Sequence, residues 1–334
     1  MSLKILAAET VSKNLAPGQT VESLKIPEDI INLIKLSNQP DMLDATTKDK
    51  QFRVFLKDVI EHYSFNNIKT ILHTCDDLNI IDQFLNKLKP EQKMAFLRIQ
   101  EKDGCTGLHY AVLYGSKKRI NLLLNGLSPE QKIALLRIQE KNGSTALHNA
   151  VSFASAKRIN ILLDGLSTEQ KIALLRIQEK DGSTVLHTAI RFASAEKINV
   201  LLNGLSPEQK IALLRIQENV GRTVLHNIVV NFISPEIIYV LLKNILIHDR
   251  LELLRIQDNT GETVLHIASP ELINGFLNSL SPDQIIALLK IQNNRGINVL
   301  DHASYYPDSI ERINALLDSL SPEQQKALLS ENKI

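Results

Sequence analysis

A four-residue string, Thr-x-Leu-His, returns along this 334-residue chain at nearly constant spacing. Copies or near copies stand at Thr70–His73, Thr106–His109, Thr145–His148, Thr184–His187, Thr223–His226 and Thr263–His266. The steps between histidines are 36, 39, 39, 39 and 40 residues, and a degraded seventh copy reads Asn298-Val299-Leu300-Asp301. A period in this range specifies a stack of supersecondary units, each resting on its neighbours. It does not specify a globular domain built around one catalytic centre.

The unit Asp181 to Asn219 shows how one period folds. Asp181-Gly182-Ser183-Thr184 is a turn followed by a helix start, with glycine for a positive φ and threonine as cap. A short apolar helix follows through Leu186–Ile190. A second helix runs from Glu196 to Leu202, with Ile198, Leu201 and Leu202 on one face and Gly204 just past its end. Ser206-Pro207-Glu208-Gln209 then opens a third helix, expected over Pro207 to about Ile216. Serine caps it, proline sits at the first helical position and Gln209 completes a capping box. Helices this short are unstable alone, so neighbouring units must bury their apolar faces.

The run Asp-x-Gly-x-Thr-x-Leu-His-x-Ala, followed by a Leu-Leu helix ending in glycine, resembles the ankyrin repeat. Gly143-Ser144-Thr145-Ala146-Leu147-His148-Asn149-Ala150 shows it most clearly, and the resemblance covers roughly residues 66–330. It implies an all-α, ankyrin-like helical-repeat solenoid of about seven units over 66–334, behind an N-terminal helical region over 1–65. Two departures stand out. Ankyrin units have about 33 residues and a β-hairpin finger, whereas here the 17 residues from Gly204 to Gly221 carry the third helix. The proline that follows threonine in the family is Gly107, Ala146, Val185, Val224 or Val264 here.

Bulk composition narrows the function. With 38 basic and 37 acidic residues the net charge is +1, so no global field favours nucleic acid. Two cysteines, Cys75 and Cys105, imply no disulfide framework and suit a reducing compartment. No apolar run is long enough for a membrane span or, near Met1, for a signal peptide, so a cytosolic monomer is expected. The repeat-locked histidines lack metal-ligand spacing and belong to the repeat. No phosphate loop or nucleophile elbow is present, so neither enzymatic activity nor a cofactor is expected. The ladder Arg98, Arg137, Arg176, Arg215, Arg255 and Lys290 precedes Glu101, Glu140, Glu179, Glu218 and Asp258 by three residues, which predicts salt links along the stack. The column Tyr114, Phe153, Phe192 and Phe232 is expected in the core between units.

Against this constant background a few positions vary. The residue after each histidine is Tyr110, Asn149, Thr188, Asn227 or Ile267, and the residue before the aromatic column is Leu113, Ser152, Arg191 or Asn231. By resemblance to ankyrin arrays these positions face a concave groove and would contact a protein partner.

Residues 1–65 lack the repeat. Their order Pro27-x-x-Ile30, Ile34, Leu43, Lys48 and Phe52 resembles a degenerate F-box, a three-helix module that docks on a ubiquitin-ligase adaptor. Ile26 and Thr47 depart from that pattern. Two readings therefore stand for this segment: a docking module for the adaptor, or a helical cap on the array. The Ile-, Asn- and Lys-rich composition is compatible with a bacterial effector, secreted without a signal peptide, that acts on a host protein.

Overall fold

The computed structural model describes residues 78–331, apart from 87, 89, 193 and 232. The segments 1–65 and Thr70–Cys75 lie outside the described residues, as does Phe232. Among the described residues, regular structure is helical. Six complete three-helix units follow two helices of a preceding one, Leu78–Asn86 and Pro90–Leu97. This is an all-α repeat solenoid.

The chain divides into two compact units, Met1–Lys141 and Asn142–Ile334. In the first, Leu78–Asn86 packs against Lys117–Leu124, and Pro90–Leu97 against Pro129–Leu136. Gly107–Leu113 lies on Lys117–Leu124. In the second, like helices stack on like. The first helices Ala146–Phe153, Val185–Arg191, Val224–Val230, Val264–Ile267 and Val299–Ala303 form one layer. The second helices Ala156–Leu163, Ala195–Leu202, Glu236–Leu242, Pro270–Leu277 and Ser309–Leu317 form another. The core lies between these layers, where Leu186, Ile190, Ile198 and Leu201 and their equivalents are fully buried. Third helices such as Pro207–Leu214 add Ile211, Leu213 and Leu214 to it.

The third helix occupies the expected place of a finger. Its start is the expected capping box: the Ser206 N–H donates to Gln209 Oε1 at 2.9 Å, and the Gln209 N–H donates back to Ser206 Oγ at 3.3 Å. It ends at Leu214, two residues before the expected Ile216, because the chain tightens there: the Ile216 N–H reaches the Leu213 carbonyl at 3.3 Å. What remains of a hairpin is an isolated antiparallel bridge across the turn, as between Gln100 and Thr106, Gln178 and Thr184, and Gln292 and Asn298.

Two units depart from the pattern. From cap threonine to the last leucine of the second helix takes 18 residues at Thr184–Leu202 but 14 at Thr263–Leu277, one helical turn fewer. Pro270 accounts for the cut. It starts the next helix at its first position and holds the preceding Ser269 extended; Ala268 is extended as well, and the first helix ends at Ile267. The buried Arg312 guanidinium fills the gap, donating to the carbonyls of Ile267 and Ala268 while Asp308 holds its Nε at 2.7 Å. In the last unit Asp301 stands in the histidine slot, and Asn298 caps the helix instead by accepting the Asp301 N–H at 3.0 Å.

Candidate functional site

The first-helix layer is fixed from inside. In each unit the cap threonine N–H donates to Nδ1 of the histidine three residues on, at 3.1–3.2 Å from His109 to His266, and the threonine and histidine form a capping box. Nδ1 accepts, so the ring proton sits on Nε2. From there His187 donates to the Arg222 carbonyl at 3.3 Å, His226 to Glu262 at 3.1 Å and His266 to Ile297 at 3.3 Å. His187, His226 and His266 thus each start their own helix and tie it to the next unit. Burial lowers the pKa of all three, to about 4 for His187 and His266.

This layer sorts the expected contact residues by depth. Asn149, Thr188 and Asn227 are buried, at 6%, 3% and 6% exposure, and do not face an open groove. The position after an N3 histidine turns inward on a helix stacked on both sides. Thr188 there donates to Glu179 Oε2 at 3.3 Å. Tyr110 and Ile267 are half-buried, with the Tyr110 hydroxyl 3.3 Å from Asp103 Oδ2. The positions one turn later lie nearer the surface. Leu113 and Ser152 are half-buried, whereas Arg191 and Asn231 are exposed. Arg191 lies 3.7 Å from Asp181, and Asn231 donates to the Asn227 carbonyl at 2.8 Å.

The aromatic column is not core. Tyr114 is 81% exposed, Phe153 67% and Phe192 42%. Each stands at the C-terminal end of a first helix and faces outward. In the second compact unit the Phe153 and Phe192 rings lie 6.0 Å apart. In the first, Tyr114 lies 6.2 Å from Tyr110.

The acidic ladder also serves another purpose than the expected salt links. Glu140 accepts from the Cys105 thiol, Glu179 from the Ser144 hydroxyl and Glu218 from the Ser183 hydroxyl at 3.2 Å. Each acid thus holds the turn of the preceding unit, and its carboxylate is committed there. Arg255 pairs with Glu252 and Lys290 with Glu331. Glu140 and burial together push the Cys105 thiol pKa up.

A glutamine ladder escaped the sequence reading. The Gln178 side-chain amide donates to the Gly182 carbonyl at 2.7 Å, closing its own turn, and to the Gln217 carbonyl at 3.1 Å in the next unit. Gln100, Gln217 and Gln257 repeat this pair of bonds. Its signal in the sequence is Arg-Ile-Gln, which recurs at one register. The F-box positions Pro27, Ile30, Ile34, Leu43 and Phe52 lie outside the described residues.

Comparison with known proteins agrees with this geometry. Residues 108–211 match the family model for ankyrin repeats (3 copies). No curated protein sequence matches the chain. Among solved structures it is similar to the ankyrin repeat domain of Bcl-3, a member of the IkappaB protein family. The TM-score is 0.54 and the identity 21%, over 74% of this chain and 96% of that one. It is also similar to a chain in the structure of the Bd0816 predatory endopeptidase from Bdellovibrio bacteriovorus in complex with immunity protein Bd3460. There the TM-score is 0.45 and the identity 18%, over 64% of this chain and 96% of that one. Residues 108–211 thus match ankyrin repeats, and the fold is that of an all-α repeat solenoid.

Proposed function

We propose that this chain is a non-enzymatic binding module that holds a protein partner on the exposed edge of its first-helix layer. The contact set is Ser152, Phe153, Arg191, Phe192 and Asn231 in the second compact unit. Tyr110, Leu113 and Tyr114 form the same set of positions in the first. The observation that carries this is the aromatic column. Large apolar side chains elsewhere in the repeat are mostly driven into the core, yet Phe153 and Phe192 stand 67% and 42% exposed against each other. Exposed aromatic rings beside an arginine are the composition of an interface centre. Their exposed neighbours Arg191 and Asn231 vary between units, while the buried threonine–histidine positions stay constant.

Residues 1–65 form a separate helical region ahead of the array at 66–334 in this reading. The order Pro27, Ile30, Ile34, Leu43 and Phe52 supports a second reading, in which that region recruits a ubiquitin-ligase adaptor and the array selects the substrate. The Ile-, Asn- and Lys-rich composition supports a bacterial effector that meets a host protein. Quantitative capture from eukaryotic lysate tests both readings, using the full chain, Phe153→Ala/Phe192→Ala, and Pro27→Ala/Ile30→Ala. The phenylalanine variant is expected to lose its partner by at least about tenfold, while the proline variant keeps it. Loss of adaptor and cullin with the proline variant alone would establish the second reading. A partner held equally by all three proteins would contradict both.

A further inference from the structure

The second-helix layer carries a polar cavity that the interaction surface does not use. It has a volume of about 410 Å³ and is lined by Asn160, Asn199, Val200, Leu202, Asn203, Gly204, Lys210, Val240, Lys243 and Asn244. Two lysines and four asparagines are among these residues, and no acidic residue is.

The repeat shows how this cavity arises. One register earlier, Lys171 occupies the place of Lys210 and crosses to the next unit, donating to the carbonyls of Val200 at 3.2 Å and Asn203 at 2.6 Å. Lys93 does the same toward the Asn125 carbonyl. The equivalent acceptors for Lys210 are the carbonyls of Val240 and Lys243. Among the described residues Lys210 makes no such bond. The residue at the corner here is Lys243 where the preceding units have Asn125, Asp164 and Asn203, and its cation repels a second ammonium brought to the same corner. The Lys243 ammonium lies instead 6.0 Å from the Tyr239 ring. Asn244 takes the left-handed position held by Gly204 one unit before, at φ 64°, and adds a fourth amide to the wall.

We propose that this cavity is a binding site for a phosphorylated polyol. Among the described residues neither lysine has an ion-pair partner; Lys210 attracts the phosphate, and Lys243 reaches it by swinging its ammonium from the Tyr239 ring. The carboxamides of Asn160, Asn199, Asn203 and Asn244 each offer a donor and an acceptor, the pairing that vicinal hydroxyls require. The volume suits a ligand of monosaccharide size. A free sugar phosphate and an inositol phospholipid head group share this chemistry.

Calorimetric titration of the full chain with glucose 6-phosphate, glucose and inorganic phosphate tests the site. Flotation with phosphatidylcholine vesicles, with or without phosphatidylinositol 4-phosphate, tests the lipid source. Saturable binding of glucose 6-phosphate below about 1 mM is expected, with both simpler probes weaker and at least about tenfold loss in Lys210→Ala/Lys243→Ala. Binding only to the phosphoinositide vesicles, lost in the same variant, would assign the site to the head group. Near-native melting of the variant shows that loss does not come from unfolding, and Lys210→Arg/Lys243→Arg, which keeps both charges, is expected to retain binding. Absence of saturable binding to either source, or binding unchanged in the alanine variant, would overturn the proposal. Equal affinity for inorganic phosphate and glucose 6-phosphate would overturn the role of the carboxamides.

Discussion

Gly143 and Gly165 both have positive φ, at 91° and 71°, but for different reasons. A Cβ on Gly143 would lie 2.8 Å from Glu179 Cα and Lys180 N, backbone atoms of the next unit that cannot give way. A Cβ on Gly165 would meet nothing within 4 Å, and Asn244 and Ser279 hold the same slot at φ 64° and 71°. Gly143→Ala is therefore expected to cost roughly 2–4 kcal/mol, from left-handed strain plus overpacking, while Gly165→Asn costs less than about 1 kcal/mol. Urea unfolding of the two variants separates them. The histidines give the chain its pH dependence. In the native array burial holds His187 and His266 neutral down to about 4, whereas the unfolded chain takes up their protons near the ordinary value of 6.5. The unfolded state thus binds more protons between these values, and stability is full above 6.5 and lost as the pH falls toward 4. At pH 5 the loss is about 2 kcal/mol for each such histidine. Denaturant midpoints at pH 7 and pH 5 should show it, and His187→Gln, which removes one titrating ring, should shrink the difference.

The elements depend on bonds that join turns across units. The Asn219 N–H donates to the Asp181 carbonyl at 2.9 Å, and the Gln217 side chain joins Gly221 to Gln257 in parallel. Gln217→Ala strands two carbonyls at a junction of two units and is expected to cost about 1–3 kcal/mol. Thermal unfolding checks this, with Gln131→Ala, which loses only a local capping bond on an exposed helix start, as the milder control. Much of this level was legible in the sequence. The Ser-Pro-Glu-Gln starts, the Thr-x-Leu-His helices and the extra helix in place of a finger follow from capping and periodicity alone. Three features were not, because each depends on how units face one another. Glu179 reads locally as the partner of Arg176 but reaches back to Ser144. Phe153 reads as core by its chemistry but faces outward at the end of its helix, between the buried Val151 and Ala154. Asn149 reads as surface by its variability but is buried between helices. Variation marks tolerance at a position, and tolerance occurs inside a stack as well as on it.

At the scale of the molecule, each compact unit is held by the same short list of contacts repeated at every junction, so stability accumulates along the stack instead of residing in one core. That arrangement frees the outer edge of the first-helix layer from structural duty, and the exposed aromatic column occupies it. The most direct test of this account places a photo-crosslinking amino acid, p-benzoylphenylalanine, at Phe153 or at Tyr239. The two side chains are 67% and 68% exposed but lie on the first-helix and second-helix layers. Incubation with eukaryotic lysate and irradiation should yield a partner adduct from position 153 and none of the same partner from position 239. Adducts of one partner from position 239 alone, or equally from both positions, would contradict the assignment of the first-helix edge as the binding surface.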